Sequence, residues 1–249
     1  MKLLSTGNPK TLKGQQQGYL TFILHLAPAN LSGFETCPKR TEGCTAACLN
    51  TAGRGGMIKK GETTNAIQQA RIRKTRLFFL NRAQFFTELV KDIELGIKQG
   101  QKKGLISVFR LNGTSDIAFE KYPVTRNGQS FDNIFLAFPD VTFYDYTKML
   151  NRKIKSLPNY HLTFSAADGN DQDVSKAIVQ GYNIATVFGI KKSLPMPETY
   201  QGLPVYNGDE SDLRFTDPKG VVVGLYAKGK AKKDSTGFVK YPTILMKAA

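Results

Sequence analysis

Short apolar runs that each end in a polar loop, with helical periodicity between several of them, limit what this chain can fold into. Residues 19–26 (YLTFILHL) open the series, and residues 105–111, 141–146, 161–165 and 183–188 lead into NGTSD, TK, AADGN and GIKK; residues 220–227 form a last strand. Their β-branched and aromatic content predicts strands. Between them, apolar residues at three- and four-residue steps predict helices. Ile67, Ala70, Leu77 and Phe78 share a face of residues 64–82, and Phe85, Phe86, Leu89, Ile93 and Ile97 mark a second helix that ends at Gly100 and Gly104. Residues 146–156 and 173–180 read as further helices. Strand, helix, strand at this spacing means parallel pairing through right-handed crossovers, in a doubly wound sheet or a barrel. The expected fold is α/β, a partial (β/α)6 TIM-like barrel of mostly parallel strands with a basic C-terminal extension. Either architecture places function at the carboxyl ends of the strands.

No low-complexity linker, heptad run or internal repeat divides the chain, so residues 1–249 read as one domain. No apolar run is long enough to cross a bilayer, and the start MKLLSTGNPK lacks the apolar core of a secretory signal. The expectation is a cytoplasmic protein with no membrane partner. The net charge of +15 is concentrated: residues 54–82 carry eight basic and one acidic residue, and residues 219–249 seven and one. Clustered Lys and Arg gain from counterion release on phosphates, so a nucleic acid or nucleotide partner is expected, with Arg54, Arg71, Arg73, Lys74, Arg76, Lys228 and Lys230 as its contacts. The bland alternative is a soluble basic face.

All three cysteines, Cys37, Cys44 and Cys48, fall in one Gly- and Thr-rich loop, residues 35–56, after the first strand. An odd number cannot close into disulfides, which points to a reducing compartment and to ligands or nucleophiles. Spaced C-x6-C-x3-C, they suit three irons of a 4Fe-4S cluster, with the fourth iron open. Zinc is the rival; it wants a fourth protein ligand, which His25 could supply. Three unrelated buried thiols, or one nucleophile with His161 as its base, complete the alternatives.

The polar strand ends supply the remaining candidates. Asp145, His161 and Asp168 are the expected catalytic groups, alongside Asp116, Lys148, Ser165 and Asn170. Alternation in VTFYDY puts Asp145 on the side of Val141 and Phe143, where a carboxylate either does chemistry or pairs with a cation such as Lys148 or Arg110. NGTSD also reads as an Asn-Gly turn with a helix cap.

The runs LHLAPANLSG, CPKRTEGCTAACLNTAGRG, RLNGTSD and DPKGVVVGLYAKGKA are similar, over nearly the whole chain, to the gene product eighty-eight family of phages and plasmids. That resemblance carries over no reaction; it implies a host-cell cytoplasmic setting. More distantly, the layout resembles the radical S-adenosylmethionine superfamily, in which a three-cysteine loop follows the first strand of a partial barrel. This second resemblance implies that Cys37, Cys44 and Cys48 hold a 4Fe-4S cluster and that Asn112, Gly113, Thr114, Ser115 and Asp116 bind the methionyl amino group of S-adenosylmethionine. The sequence departs from that pattern in its cysteine spacing and in NGTSD, which lacks the usual paired glycines and glutamate. The leading reading is an iron-sulfur enzyme acting on nucleic acid or a nucleotide. The alternatives are a non-catalytic iron-sulfur protein that binds nucleic acid and a zinc-stabilised protein directed at a host factor.

Overall fold

The computed structural model describes residues 1–7 and 9–242; the end of the basic segment 219–249 lies beyond residue 242 and so outside the described residues. The chain begins with β1 (Leu4–Ser5), α1 (Pro9–Gln15) and β2 (Tyr19–Leu24), followed by the short helices α2 (Ala29–Ser32) and α3 (Glu42–Ala46). Two long helices come next, α4 (Ala66–Leu80) and α5 (Arg82–Lys102). Asn65 caps α4 by accepting from the Gln68 N–H, and Asn81 ends α4 and caps α5 by accepting from the Gln84 N–H. The order continues β3 (Ile106–Arg110), β4 (Val124–Arg126), β5 (Gln129–Phe131), α6 (Ile134–Ala137), β6 (Thr142–Thr147), β7 (Tyr160–Ser165), α7 (Asp171–Val179) and β8 (Ile184–Phe188). It closes with β9 (Thr199–Tyr200), β10 (Leu203–Asn207), β11 (Val222–Tyr226) and β12 (Val239–Lys240).

One sheet runs in the order β1, β2, β3, β6, β7, β8, β11, β10, β9, with β12 paired to β8. Strands β2, β3, β6, β7 and β8 follow one another in parallel and in chain order, with the antiparallel β4–β5 pair outside the sheet. Register sorts their side chains into two faces. Phe22, Phe109 and Phe143 point to one side, where Phe86, Leu89 and Ile93 of α5 cover them. Farther along, Val174 and Ala177 of α7 cover Phe164, Ile184 and Phe188 on that side. Gly96 lets α5 approach closely: a Cβ there would stand 3.0 Å from the Phe109 ring and 3.2 Å from the Phe22 ring.

The expected barrel is not what the strand order shows. Among the described residues the sheet is open, edged by β1, antiparallel to β2, and by β9, antiparallel to β10. The outer edge of β2 is taken by β1 and not by a strand from the other end, and at that other end β11 inserts between β8 and β10. Going from β10 to β11 the chain steps back across the sheet. A right-handed crossover must then lie on the face opposite the helices. Residues 208–221 make that step as a strap: Leu213 packs on Val108 and Tyr144, and Phe215 on Tyr19 and Tyr144. Two buried ion pairs lie along it, Arg110 with Asp212 at 2.9 Å and Arg214 with Asp217 at 3.2 Å.

A second expectation also fails. Residues 146–156 are not a helix: Tyr146 and Thr147 extend β6 by pairing with Thr163 and Phe164, and the rest is irregular. Arg152 from this segment is drawn into the interior, where its Nε and Nη2 donate to Glu120 Oε1 and Oε2 at 2.6 and 2.8 Å. A buried bidentate pair outweighs local helical preference. The β4–β5 hairpin turns through Asn127 and Gly128, both at positive φ (50° and 78°), the backbone that an Asn-Gly pair adopts with least strain.

Candidate functional site

The cysteine loop is built on the rim formed by the carboxyl ends of β2, β3, β6 and β7. Thr41 caps α3 by accepting from the Cys44 N–H at 3.2 Å, and the Asp168 carboxylate, beyond the end of β7, accepts from the Thr41 hydroxyl and from the Gly43 N–H at 3.0 Å. Those hydrogen bonds hold the Asp168 carboxyl below its ordinary range in spite of burial. Gly43 is required by packing, because a Cβ there would collide with Thr236 and come within 2.8 Å of Phe238 Cβ. The NGTSD turn lies beside the loop: the Asp116 N–H donates to the Thr36 carbonyl at 2.8 Å, and Cys37 Sγ stands 4.0 Å from the Thr114 carbonyl. Gly113 fits against β2, where a Cβ would approach His25 Cδ2 to 2.8 Å.

The three thiols are half-buried, free and close enough to bear on one another electrostatically. Burial pushes Cys37 up to about 12, with Cys48 and Cys44 adding to the effect and Lys148 opposing it. Burial also raises Cys48, while the Asn50 N–H, 3.5 Å from its sulfur, works the other way. Lys148, at the end of β6, is held above the ordinary lysine range: burial pulls it down, but Cys44, Asp116 and Cys37 outweigh that. The donor set is of the type that an iron-sulfur centre takes, three thiols of one loop with a cation among them. Their positions do not form a ready-made site for one ion. Among the described residues no group of three or more His, Cys, Asp or Glu side chains is arranged to hold a metal ion.

Residues 2–242, which contain the loop, the NGTSD turn and every strand described, match the family model whose description is Gene product 88. The chain belongs to the Gene product 88 family. No curated protein and no solved structure matches it. The likeness to the radical S-adenosylmethionine superfamily gains no support from these comparisons.

In this Gene product 88 chain the sequence candidates are dispersed. Asp145 is fully buried and accepts from four donors: the Leu111 and Asn112 N–H groups at 3.2 and 2.8 Å, the Asn112 amide at 3.4 Å and the Tyr160 hydroxyl at 3.2 Å. Burial nonetheless pushes its carboxyl up to about 6. His161 sits near the start of β7 on the strap side, beside Phe215, away from the rim; burial, then Lys219, lowers its pKa. Asp168 anchors the cysteine loop. The three are not brought together.

The polar groups of NGTSD are engaged within the protein. Asn112 Oδ1 accepts from Ser115 and from the Ile117 N–H, both at 2.8 Å, and Thr114 donates to the Leu26 carbonyl at 2.6 Å. Asp116 Oδ2 accepts from the Lys148 N–H at 2.8 Å and Oδ1 from Arg152 at 3.2 Å. Burial raises the Asp116 carboxyl despite these partners. Asn170 closes the AADGN turn through the Ser165 carbonyl and the Ala167 N–H. His25 stands among cations: burial, then Arg71, Arg110 and Lys74, bring its pKa down to about 3.

The basic candidates divide. Arg71 turns inward and donates to Asn50 Oδ1 at 2.6 Å, and Lys74 reaches the Leu3 carbonyl. Arg54, Arg73, Arg76, Lys228 and Lys230 are exposed, Lys228 paired with Asp209. Chain folding brings the C-terminal basic segment to the cysteine loop: a Cβ at Gly229 would lie 3.5 Å from Ala52, so residues 229–233 lie against residues 49–52, just before the first basic segment begins at Arg54. A cleft of about 620 Å³ runs along that side, between Asn30, Glu35, Arg40, Thr45 and Lys230. Arg152, Glu120 and Thr41 escaped the sequence reading. Thr41 had a signal, a threonine directly before a helical turn; the buried Arg152–Glu120 pair had none.

Proposed function

We propose that this protein is an iron-sulfur protein that acts on nucleic acid or a nucleotide, with Cys37, Cys44 and Cys48 as the ligands of a 4Fe-4S cluster. The observation that carries the reading is the contact of Gly229, in the C-terminal basic segment, with Ala52 of the loop that bears the three thiols, a loop that runs on into the first basic segment at Arg54. Phosphate-binding cations and soft sulfur donors then share one rim of a parallel sheet.

The residues present suit such a centre in identity. The thiols must lose their protons to bind iron, which burial opposes at Cys37 and Cys48, and Lys148 and the Asn50 N–H stand where they offset the resulting charge. Held by Cys37, Cys44 and Cys48, a 4Fe-4S cluster would supply one-electron reduction at this rim. The chain's own part is to hold the loop through Thr41 and Asp168, to shield it with residues 236–238, and to present cations to phosphate. Strands β2, β3, β6, β7 and β8 succeed one another in parallel as the strands of a barrel do, which supports reading the sheet as an unclosed (β/α)6 relative. On that reading the protein is a radical S-adenosylmethionine-type enzyme of a phage-infected cell, working in the cytoplasm.

The internal hydrogen bonds of Asn112, Ser115 and Asp116 favour a second reading, a non-catalytic protein whose cluster clips the loop in place. Anaerobic purification with iron and sulfide analysis tests the cluster, and electron paramagnetic resonance with and without S-adenosylmethionine separates the two readings. The proposal expects a 4Fe-4S spectrum that each of Cys37→Ala, Cys44→Ala and Cys48→Ala removes. Stoichiometric zinc without iron under iron-replete conditions defeats it.

A further inference from the structure

Between the cysteine loop and α4 the chain makes an excursion that exposes two large apolar side chains, Met57 at 72% and Ile58 at 43%. The excursion is fastened by polar clamps, not by burying those side chains. Asn65 Nδ2 donates to the carbonyls of Arg54, Gly55 and Met57 at 3.1, 3.1 and 2.9 Å, and Gln68 Nε2 donates to the Gly55 carbonyl at 2.9 Å. Asn65 itself is fixed as the cap of α4. Met57 and Ile58 thus stand outside on a held backbone, with exposed Arg54 on one side and exposed Lys59 and Lys60 on the other.

An apolar tip ringed by cations matches one surface chemistry well: stacked bases flanked by phosphates. Phosphate contacts hold the duplex or strand against the tip, and Met and Ile are among the side chains that enter base steps and partly unstack them. We propose that Met57 and Ile58 are a wedge that inserts between bases of a bound nucleic acid, with Arg54, Lys59 and Lys60 on the adjoining phosphates. This rests on the nucleic-acid reading above and adds how the bases are engaged. It has a plain use for a chain acting on bases, because a base must leave its stack before a group on the rim can reach it.

The test uses the full chain, purified anaerobically, with oligonucleotides carrying 2-aminopurine, single-stranded and duplex, at several salt concentrations. Binding is expected to raise 2-aminopurine emission as the base unstacks. The double variant Met57→Ser/Ile58→Ser should bind about tenfold more weakly, keep the salt dependence of the parent and lose the emission rise. Replacing Arg54, Lys59 and Lys60 by Gln should instead flatten the salt dependence. Equal affinity and equal emission in the Met57→Ser/Ile58→Ser protein overturn the wedge and leave nucleic-acid binding standing. Failure of the parent to bind either oligonucleotide overturns both readings. Met57-dependent sedimentation with phosphatidylserine vesicles, without oligonucleotide binding, assigns the tip to a lipid surface and overturns the wedge as well.

Discussion

The Asp168 carboxylate accepts a hydrogen bond from the Gly43 N–H at 3.0 Å, across 125 positions of sequence. It ties the end of β7 to the first turn of the cysteine helix, and the Thr41 hydroxyl donates to the same carboxylate. Asp168→Ala should free that turn and cost about 1–2 kcal/mol of stability. Faster amide exchange at Gly43 and Cys44, with the far strands unchanged, is the expected signature. Exchange that does not change would mean the loop is held by other contacts.

Gly43→Ala attacks the same junction from the other side. The added methyl meets Thr236, Asp168 and Phe238, so residues 234–240 must shift or the loop must retreat. A loss of about 1–3 kcal/mol is expected, read as a lower melting temperature. Gly53, where a Cβ would meet nothing within 4 Å but φ is 57°, should suffer only backbone strain on the same change.

Arg152 has a side chain only 1% exposed and serves both Glu120 and Asp116. Arg152→Met leaves these carboxylates buried without their cation and should cost about 3–5 kcal/mol in urea denaturation. Adding Glu120→Gln to that variant should return part of the loss, since one uncompensated charge is removed.

His25 gives a pH signature. Its pKa falls from 6.5 to about 3 on folding, so between these values the unfolded chain binds the extra proton and stability due to His25 declines as pH falls. Comparing the parent with His25→Gln by urea denaturation should show a difference that shifts by about 1–2 kcal/mol, against the parent, between pH 7 and pH 5. A constant difference would place a protonated imidazole in the fold.

Arginines of α4 should separate by role. Arg73→Glu with Arg76→Glu, both exposed, should weaken oligonucleotide binding and leave melting nearly unchanged. Arg71→Glu breaks the contact with Asn50 and should lower the melting temperature of the cysteine loop region. Full oligonucleotide affinity in the Arg73/Arg76 variant would reduce the basic face to a solubility feature.

What the sequence determined by itself was local. Alternation and β-branching marked β2, β3, β6, β7, β8 and β11, apolar spacing marked α4, α5 and α7, and the shared loop of Cys37, Cys44 and Cys48 was legible as a set. Only the tertiary structure decided the rest, because those outcomes hang on contacts between distant residues that no local window contains. The pairing of β1 on β2 leaves the sheet open, and the insertion of β11 between β8 and β10 sends residues 208–221 over the opposite face. Residues 148–156 carry helical spacing, yet Arg152 gains more from Glu120, 32 positions away, than a solvated helix would return. Arg71 and Lys74 look like their exposed neighbours Arg73 and Arg76 until Asn50 and the Leu3 carbonyl draw them inward. Asp116 ends beneath Lys148 and Arg152 for the same reason: a buried carboxylate takes the donors that the fold brings to it, and sequence alone cannot say which those are.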